Sequence, residues 1–227
     1  KGGLDAYSGL VSDVYQDIFG CASFGGKGII NVRAFNEAIG EKIPENTVLS
    51  HDLLEGSYLG CATAGDVKFF DSFPGEPLSY YKRAHRWTRG DWQLARWLFE
   101  GELSFLARFK IFANMFRTLF PGSVLLLLLL SVSVLPGNML VYFAFAVQAV
   151  FYPLGLEVFS KAVGVYRAIK RKYTLRDALP DIWAVIVRLA LNFVFLPYEA
   201  YVYADAKIRA LYRMLISRKK MLEWVTA

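Results

Sequence analysis

Two short stretches carry residue types that could do chemistry. Arg83-Ala84-His85-Arg86-Trp87-Thr88-Arg89-Gly90-Asp91-Trp92-Gln93 packs three arginines and two tryptophans into one polar segment. That combination suits the holding of a phosphate leaving group and stacking on a flat sugar face. Earlier in the chain, Ser50-His51-Asp52-Leu53-Leu54-Glu55-Gly56 supplies acids. Inverting glycosyl transfer needs one carboxylate to take the proton of the attacking hydroxyl, which fits Asp52 as general base, with Glu55 one turn on as a supporting partner. A fixed guanidinium at Arg86 would stabilise negative charge on a departing diphosphate more in the transition state than in the ground state. Trp87 would offer its face to the acceptor sugar.

Each residue also has a plainer reading. Asp52 fits a first-turn carboxylate that satisfies backbone donors, Glu55 a solvent-facing acid, and Arg86-Trp87 a surface arginine beside a core tryptophan. The spacing occurs twice: Arg83-x-x-Arg86-Trp87 and Gln93-x-x-Arg96-Trp97. The first copy is preferred because Arg89 and Asp91 add polar groups next to it, whereas Trp97 runs into Leu98-Phe99. His51 and His85 are too few and too scattered for a zinc site and read as hydrogen-bonding residues. Phe24-Gly25-Gly26-Lys27-Gly28 allows close backbone approach but lacks the phosphate-loop spacing, leaving an ordinary turn or an acceptor-lining loop.

The elements that must position these residues follow from periodicity. Leu10, Val14, Asp17 and Ile18 recur at helical spacing; Val32–Ile39 reads as a short helix; Ser50 is a candidate cap for a helix that buries Leu53, Leu54, Tyr58 and Leu59. Val67–Phe70 reads as a strand, Leu78 to about Phe99 as a helix bent near Gly90, and Phe105–Phe116 as an amphipathic helix lying at a membrane surface. Thr118–Leu135 and Asn138–Leu156 each approach the length needed to cross the ~30 Å hydrocarbon core and are joined by Pro136-Gly137, so a transmembrane hairpin is expected. Ile182–Tyr203 is interrupted by Arg188, Pro197 and Glu199 and fits an interfacial or partly inserted arrangement, broken at Pro197 if it forms a hairpin.

The 227 residues are 55% hydrophobic with a net charge of +6. The cations cluster at Lys161–Arg176 and Lys207–Lys220, beside apolar runs, which points to anionic lipid headgroups and not to nucleic acid. Cys21 and Cys61 lack CxxC partners and fit a reducing compartment. The expected organisation is residues 1–103 as part of a cytosolic catalytic domain, 104–117 as an interfacial helix and 118–156 as the hairpin. Residues 157–180 follow as a basic linker and 181–227 as interfacial or partly inserted helices with a basic tail.

At these residues the chain resembles the bacterial cyclic β-1,2-glucan synthases, relatives of the cellulose, chitin and hyaluronan synthases. The likeness is carried by Ser12-Asp13-Val14-Tyr15-Gln16-Asp17, Gly26-Lys27-Gly28-Ile29, Pro44-Glu45-Asn46-Thr47, Ser50 to Gly56, His85-Arg86-Trp87, Arg89 to Gln93 and Leu222-Glu223-Trp224. It implies an α/β GT-A-like glycosyltransferase portion followed by an α-helical multi-pass membrane region, in the bacterial inner membrane with the catalytic part cytosolic. It further implies Asp52 as base in the place of a T-E-D motif, and diphosphate and acceptor contacts for Arg83, Arg86 and Trp87. His51, Glu55, Arg89, Asp91, Trp92 and Gln93 are expected in support, with Phe24, Gly26, Lys27 and Gly28 as acceptor loop. UDP-glucose is the implied donor and β-1,2-glucan the acceptor and product. A divalent metal, Mg2+ or Mn2+, is implied on a D-x-D placed ahead of Lys1, and a phosphorylase-like domain elsewhere in the polypeptide. The linear osmoregulated periplasmic glucan glucosyltransferases share part of the pattern. A non-catalytic membrane scaffold or transporter is the third possibility, favoured only by Arg188 and Glu199.

Overall fold

Side-chain caps set the helix starts. The Asp13 carboxylate accepts from the amides of Tyr15 and Gln16 and begins α1 (Val14–Phe19), which Gly20 ends in the left-handed conformation. Asn31 does the same for α2 (Val32–Ile39) through the amides of Arg33 and Ala34. Five further helices follow: α3 (Asp52–Leu59), α4 (Pro77–Gln93), α5 (Phe105–Arg117), α6 (Phe120–Ser133) and α7 (Met139–Tyr152). Ser104 caps α5 through the amide of Ala107. The last helix, α8 (Ile182–Tyr212), runs into a π-helical turn at Arg213–Ser217. The computed structural model describes residues 13–40, 42–50, 52–64, 67, 75–152, 155 and 182–223.

The described residues are helical, with no strand and no sheet, so the expected α/β portion is not found. That expectation came with the resemblance, while the residues themselves carry helix caps and helical spacing. Val67 lies outside any strand, and the rest of Val67–Phe70 falls outside the described residues, as does the basic linker at 157–180. The multi-pass expectation is corrected as well. No single described helix is long and apolar enough to cross a membrane; α5 and α6 meet that test only as a pair with a bend between them. Helix α6 has 14 residues, roughly 21 Å at 1.5 Å per residue. It stops where Val134, Pro136 and the positive-φ Gly137 break the ladder. Helix α8 is long enough at 31 residues and continues through Pro197 without the break that a hairpin would need, but Arg188, Glu199, Asp205, Lys207 and Arg209 interrupt its apolar character.

The chain divides into two units, residues 1–118 with 202–227 and residues 119–201. In the first, Val48, Leu54, Leu94, Trp97, Leu103, Ala107 and Ile111 form the core. Leu94 and Trp97 reach it together because α4 tightens into a 3-10 helix over Leu94–Phe99, in which residues three apart share a face. In the second, Val124, Ala146, Val150 and Leu196 pack together. Helix α1 forms where the helical spacing of Val14, Asp17 and Ile18 puts it, but it has no buried residue, and Val14 and Ile18 are exposed.

Candidate functional site

Asp52 stands in the first turn of α3, where unsatisfied amides and the helix dipole favour a carboxylate. The loop Phe24–Gly28 is laid directly against it. A Cβ at Gly26 would come within 2.7 Å of Asp52 Oδ2, and Gly26 has φ +79°, so only glycine gives both the backbone shape and the close approach. The same loop packs on α3 at Gly56, where a Cβ would meet that of Phe24 at 2.7 Å; α4 approaches Ser50 at Gly90, with a corresponding 2.9 Å. Each of the three sequence motifs thus contributes a glycine at a close approach, Gly26 to Asp52, Gly56 to Phe24 and Gly90 to Ser50.

A cavity of about 220 Å3 opens at this point, lined by Asp52, Asp91, Lys110, Asn114, Tyr15, Ser23, Phe24 and Ser50 among others. Lys110 is fixed by donating to the Ala22 carbonyl at 3.3 Å and lies 4.3 Å from the Tyr15 ring centroid. Asp13 tethers the loop from the other side, accepting from the Ser23 amide at 3.2 Å. A second cavity of about 490 Å3 shares Ser23, Phe24, Leu53 and Lys110 with the first and extends between Phe19, Ser57 and Phe105. Both cysteine thiols donate to one oxygen beside it, the Ala22 carbonyl, at 3.6 Å from Cys21 and 3.0 Å from Cys61. Burial, with Cys21 adding to it, pushes the Cys61 thiol up to about 11, so it is held as the unreactive thiol.

Asp91 is the perturbed carboxyl of the site. Burial raises it to about 6, against the opposing pull of Arg117 and Asn114. Those partners are distant: Arg117 Nη2 is 3.7 Å from Oδ2, and Asn114 donates to Oδ1 at 3.5 Å. Oδ2 is buried without a hydrogen bond.

The arginine and tryptophan motif is divided between two tasks. Tyr80, Arg83 and Trp87 follow one another at i, i+3 and i+7 along α4, on one face. The Arg83 guanidinium lies 4.4 Å from the Trp87 ring centroid, and Trp87 is 38% exposed. Neither Arg83, Arg86 nor Trp87 lines the Asp52 cavity. Arg89, Trp92 and Gln93 instead hold the fold together. Arg89 donates to the carbonyls of Glu223 at 2.7 Å and Met221 at 3.2 Å; Gln93 donates to Met221 O at 3.0 Å and accepts from the Leu49 amide at 2.7 Å. Trp92 donates to Thr118 Oγ1 at 2.9 Å. His85 makes a 2.9 Å bond to Asp205, which also accepts from Arg209 at 2.7 Å. Burial outweighs Asp205 and, with Arg89 and Arg209 nearby, lowers His85 from its ordinary value. Burial of Asp205 acts to raise its carboxyl, but Arg209 and His85 prevail and hold it low. The pair is therefore a neutral imidazole on a carboxylate at neutral pH.

Of the remaining expected residues, Glu55 is buried beneath Asp52 on α3, Lys27 and Gly28 are exposed on the loop, and His51 lies outside the described residues. Lys110 was expected only as a charge on an amphipathic helix, and Asn114 and Tyr15 carried no site signal beyond their polarity; all three belong to the cavity. Among the described residues no group of three or more His, Cys, Asp or Glu side chains could hold a metal ion. No step is routed through a metal.

No protein-family model matches the chain. It is 41% identical over 228 aligned positions to the cyclic beta-(1,2)-glucan synthase NdvB of Rhizobium meliloti (strain 1021), a match covering 99% of this chain and 8% of that relative. The chain thus spans less than a tenth of the length of the curated relative it matches.

Proposed function

We propose that the chain is part of a cyclic β-1,2-glucan synthase, the activity named for the relative it matches, and that it forms the acceptor side of a glucosyl-transfer site in which Asp52 is the general base. The acceptor is the growing β-1,2-glucan and the donor UDP-glucose. As the acceptor hydroxyl attacks the anomeric carbon, its proton passes to Asp52. The new C–O bond forms while the bond to the diphosphate breaks, and that electron pair leaves with the nucleotide, inverting the anomeric centre. In this reading Arg86 meets the charge of the departing diphosphate and Trp87, exposed on α4, offers an aromatic surface to the glucan.

The observation that carries the reading is the fit of the Phe24–Gly28 loop against the Asp52 carboxylate, with Gly26 close enough that a methyl group would collide with it. An acid serving only as a helix-start charge needs no such cover and no adjoining cavity. The apolar pair α5 and α6 supports an association with the inner membrane. In the full-length synthase, Asp52→Asn is expected to lower glucan synthesis from labelled UDP-glucose at least about a thousandfold, within the range seen for loss of general-base catalysis. Substantial remaining transfer would remove Asp52 from the role.

A further inference from the structure

Asp91 differs from its neighbours on α4. Arg89, Trp92 and Gln93 each make bonds of 2.7 to 3.2 Å inside the fold, Arg89 through both terminal nitrogens while its Nε has no partner. Asp91 has only the 3.5 Å contact from Asn114 and the 3.7 Å approach of Arg117. Its side chain is 15% exposed, and its Oδ2 has no hydrogen bond. A buried carboxyl left in this state is costly unless something else satisfies it. Asp91 is among the residues that line the cavity of Asp52. The other charged or titratable groups around that cavity are Asp52 on α3, Lys110 on α5 and Tyr15 on α1, with Arg117 beside Asp91 from α5.

We propose that Asp91 binds the acceptor sugar, holding the hydroxyl adjacent to the one that Asp52 deprotonates, and so determines which hydroxyl is presented for attack. The inference rests on the Asp52 reading above and adds a substrate contact to the same site. Adjacent equatorial hydroxyls of a glucosyl end lie side by side, which suits a cavity lined by two aspartates. The cavity, at about 220 Å3, is smaller than the roughly 300–1,000 Å3 of a complete small-molecule site, as suits the capture of a single terminal sugar unit. A carboxyl there can accept from the hydroxyl when ionised and donate to it when protonated. Lys110, fixed on the Ala22 carbonyl, supplies a cation on the same wall.

The test uses the full-length synthase, UDP-glucose and a soluble β-1,2-linked gluco-oligosaccharide. Asp91→Ala is expected to raise the acceptor KM about tenfold or more while kcat falls less than about threefold and UDP-glucose hydrolysis to free glucose is unchanged, because water needs no sugar contact. Asp91→Asn keeps the shape and covers the case in which the alanine variant fails to fold. In the wild type the acceptor KM should fall as pH rises through about 6, where the stronger acceptor form appears, and this dependence should vanish in Asp91→Asn. An unchanged acceptor KM in both variants, parallel loss of kcat and hydrolysis, or persistence of the pH dependence in Asp91→Asn would overturn the proposal. The two readings fail separately. Transfer surviving Asp52→Asn removes the base assignment; an inactive Asp52→Asn alongside an unmoved acceptor KM in the Asp91 variants removes only this one.

Discussion

Trp87 and Trp97 each follow an arginine at the end of the same short spacing, Arg83 to Trp87 and Gln93 to Trp97. Trp87 is 38% exposed on a helix face shared with Tyr80 and Arg83, while Trp97 is 1% exposed among Leu54, Leu94 and Ile111. Even the first residue of each copy has a different task. Arg83 lies over the Trp87 ring, whereas Gln93 joins the Leu49 amide to the Met221 carbonyl. The cause is the change of helix type at Leu94, which turns the second tryptophan inward. A motif's spacing therefore determines which residues can meet, and the backbone period beneath it determines whether they meet a ligand or the core.

The largest expected effect tests that contrast by stability. Trp97→Ala should destabilise its unit by about 3–5 kcal/mol, as for other buried large-to-alanine changes. Trp87→Ala should cost under about 1 kcal/mol by the usual range for exposed positions. Proteolytic cleavage rates of the full-length protein between Val48 and Ile111 would measure both, and equal sensitivity of the two variants would break the comparison. Next comes catalysis. Arg86→Ala should lower turnover about a hundredfold, as for loss of one charge-stabilising donor, and more than Arg96→Ala; the reverse order in glucan-synthesis assays would transfer the functional role to the second copy.

The smallest effect concerns Asp91, between the two tryptophans. Its folded value of about 6 lies above the ordinary 3.8, so the folded chain holds the proton more tightly than the unfolded one. The stabilising contribution is full below about 3.8, declines as pH rises through about 6, and is level beyond. Asp91→Asn should abolish that decline and gain on the order of 2 kcal/mol at pH 7.5, read as increased hydrogen-exchange protection of α4 amides. A wild-type protection profile flat between pH 4 and 7 would contradict it.

Local features were legible and distant ones were not. The bounds of α2 follow from Asn31 and the apolar spacing after it, and Asp52 falls in the first turn where the acid-rich helix start puts it. The placement of Gly26 on Asp52 could not be read from glycine spacing, because it depends on a loop folded back over a later helix. Likewise Arg89 and Gln93 read as supporting residues of the Arg86-Trp87 motif, with no sign of what they bind. Their acceptors lie 134 and 128 residues further on, a pairing that no local period encodes. The α/β expectation failed for a related reason: it was carried by likeness at motifs, while Asp13, Asn31 and Ser104 act as helix caps.

That long-range tether has a consequence for synthesis. Arg89 and the carbonyl it binds at Glu223 are separated by 134 residues, and at roughly 5–20 residues per second this is a delay on the order of ten seconds on the ribosome. Throughout it the Arg89 guanidinium has no Glu223 carbonyl to receive it, and the whole second unit, residues 119–201, is made in the interval. In the last turn of α4, which carries Asp91, Gln93 and Trp92 find Leu49 and Thr118 early, while the Arg89 contacts wait until residues 221 and 223 have followed the second unit.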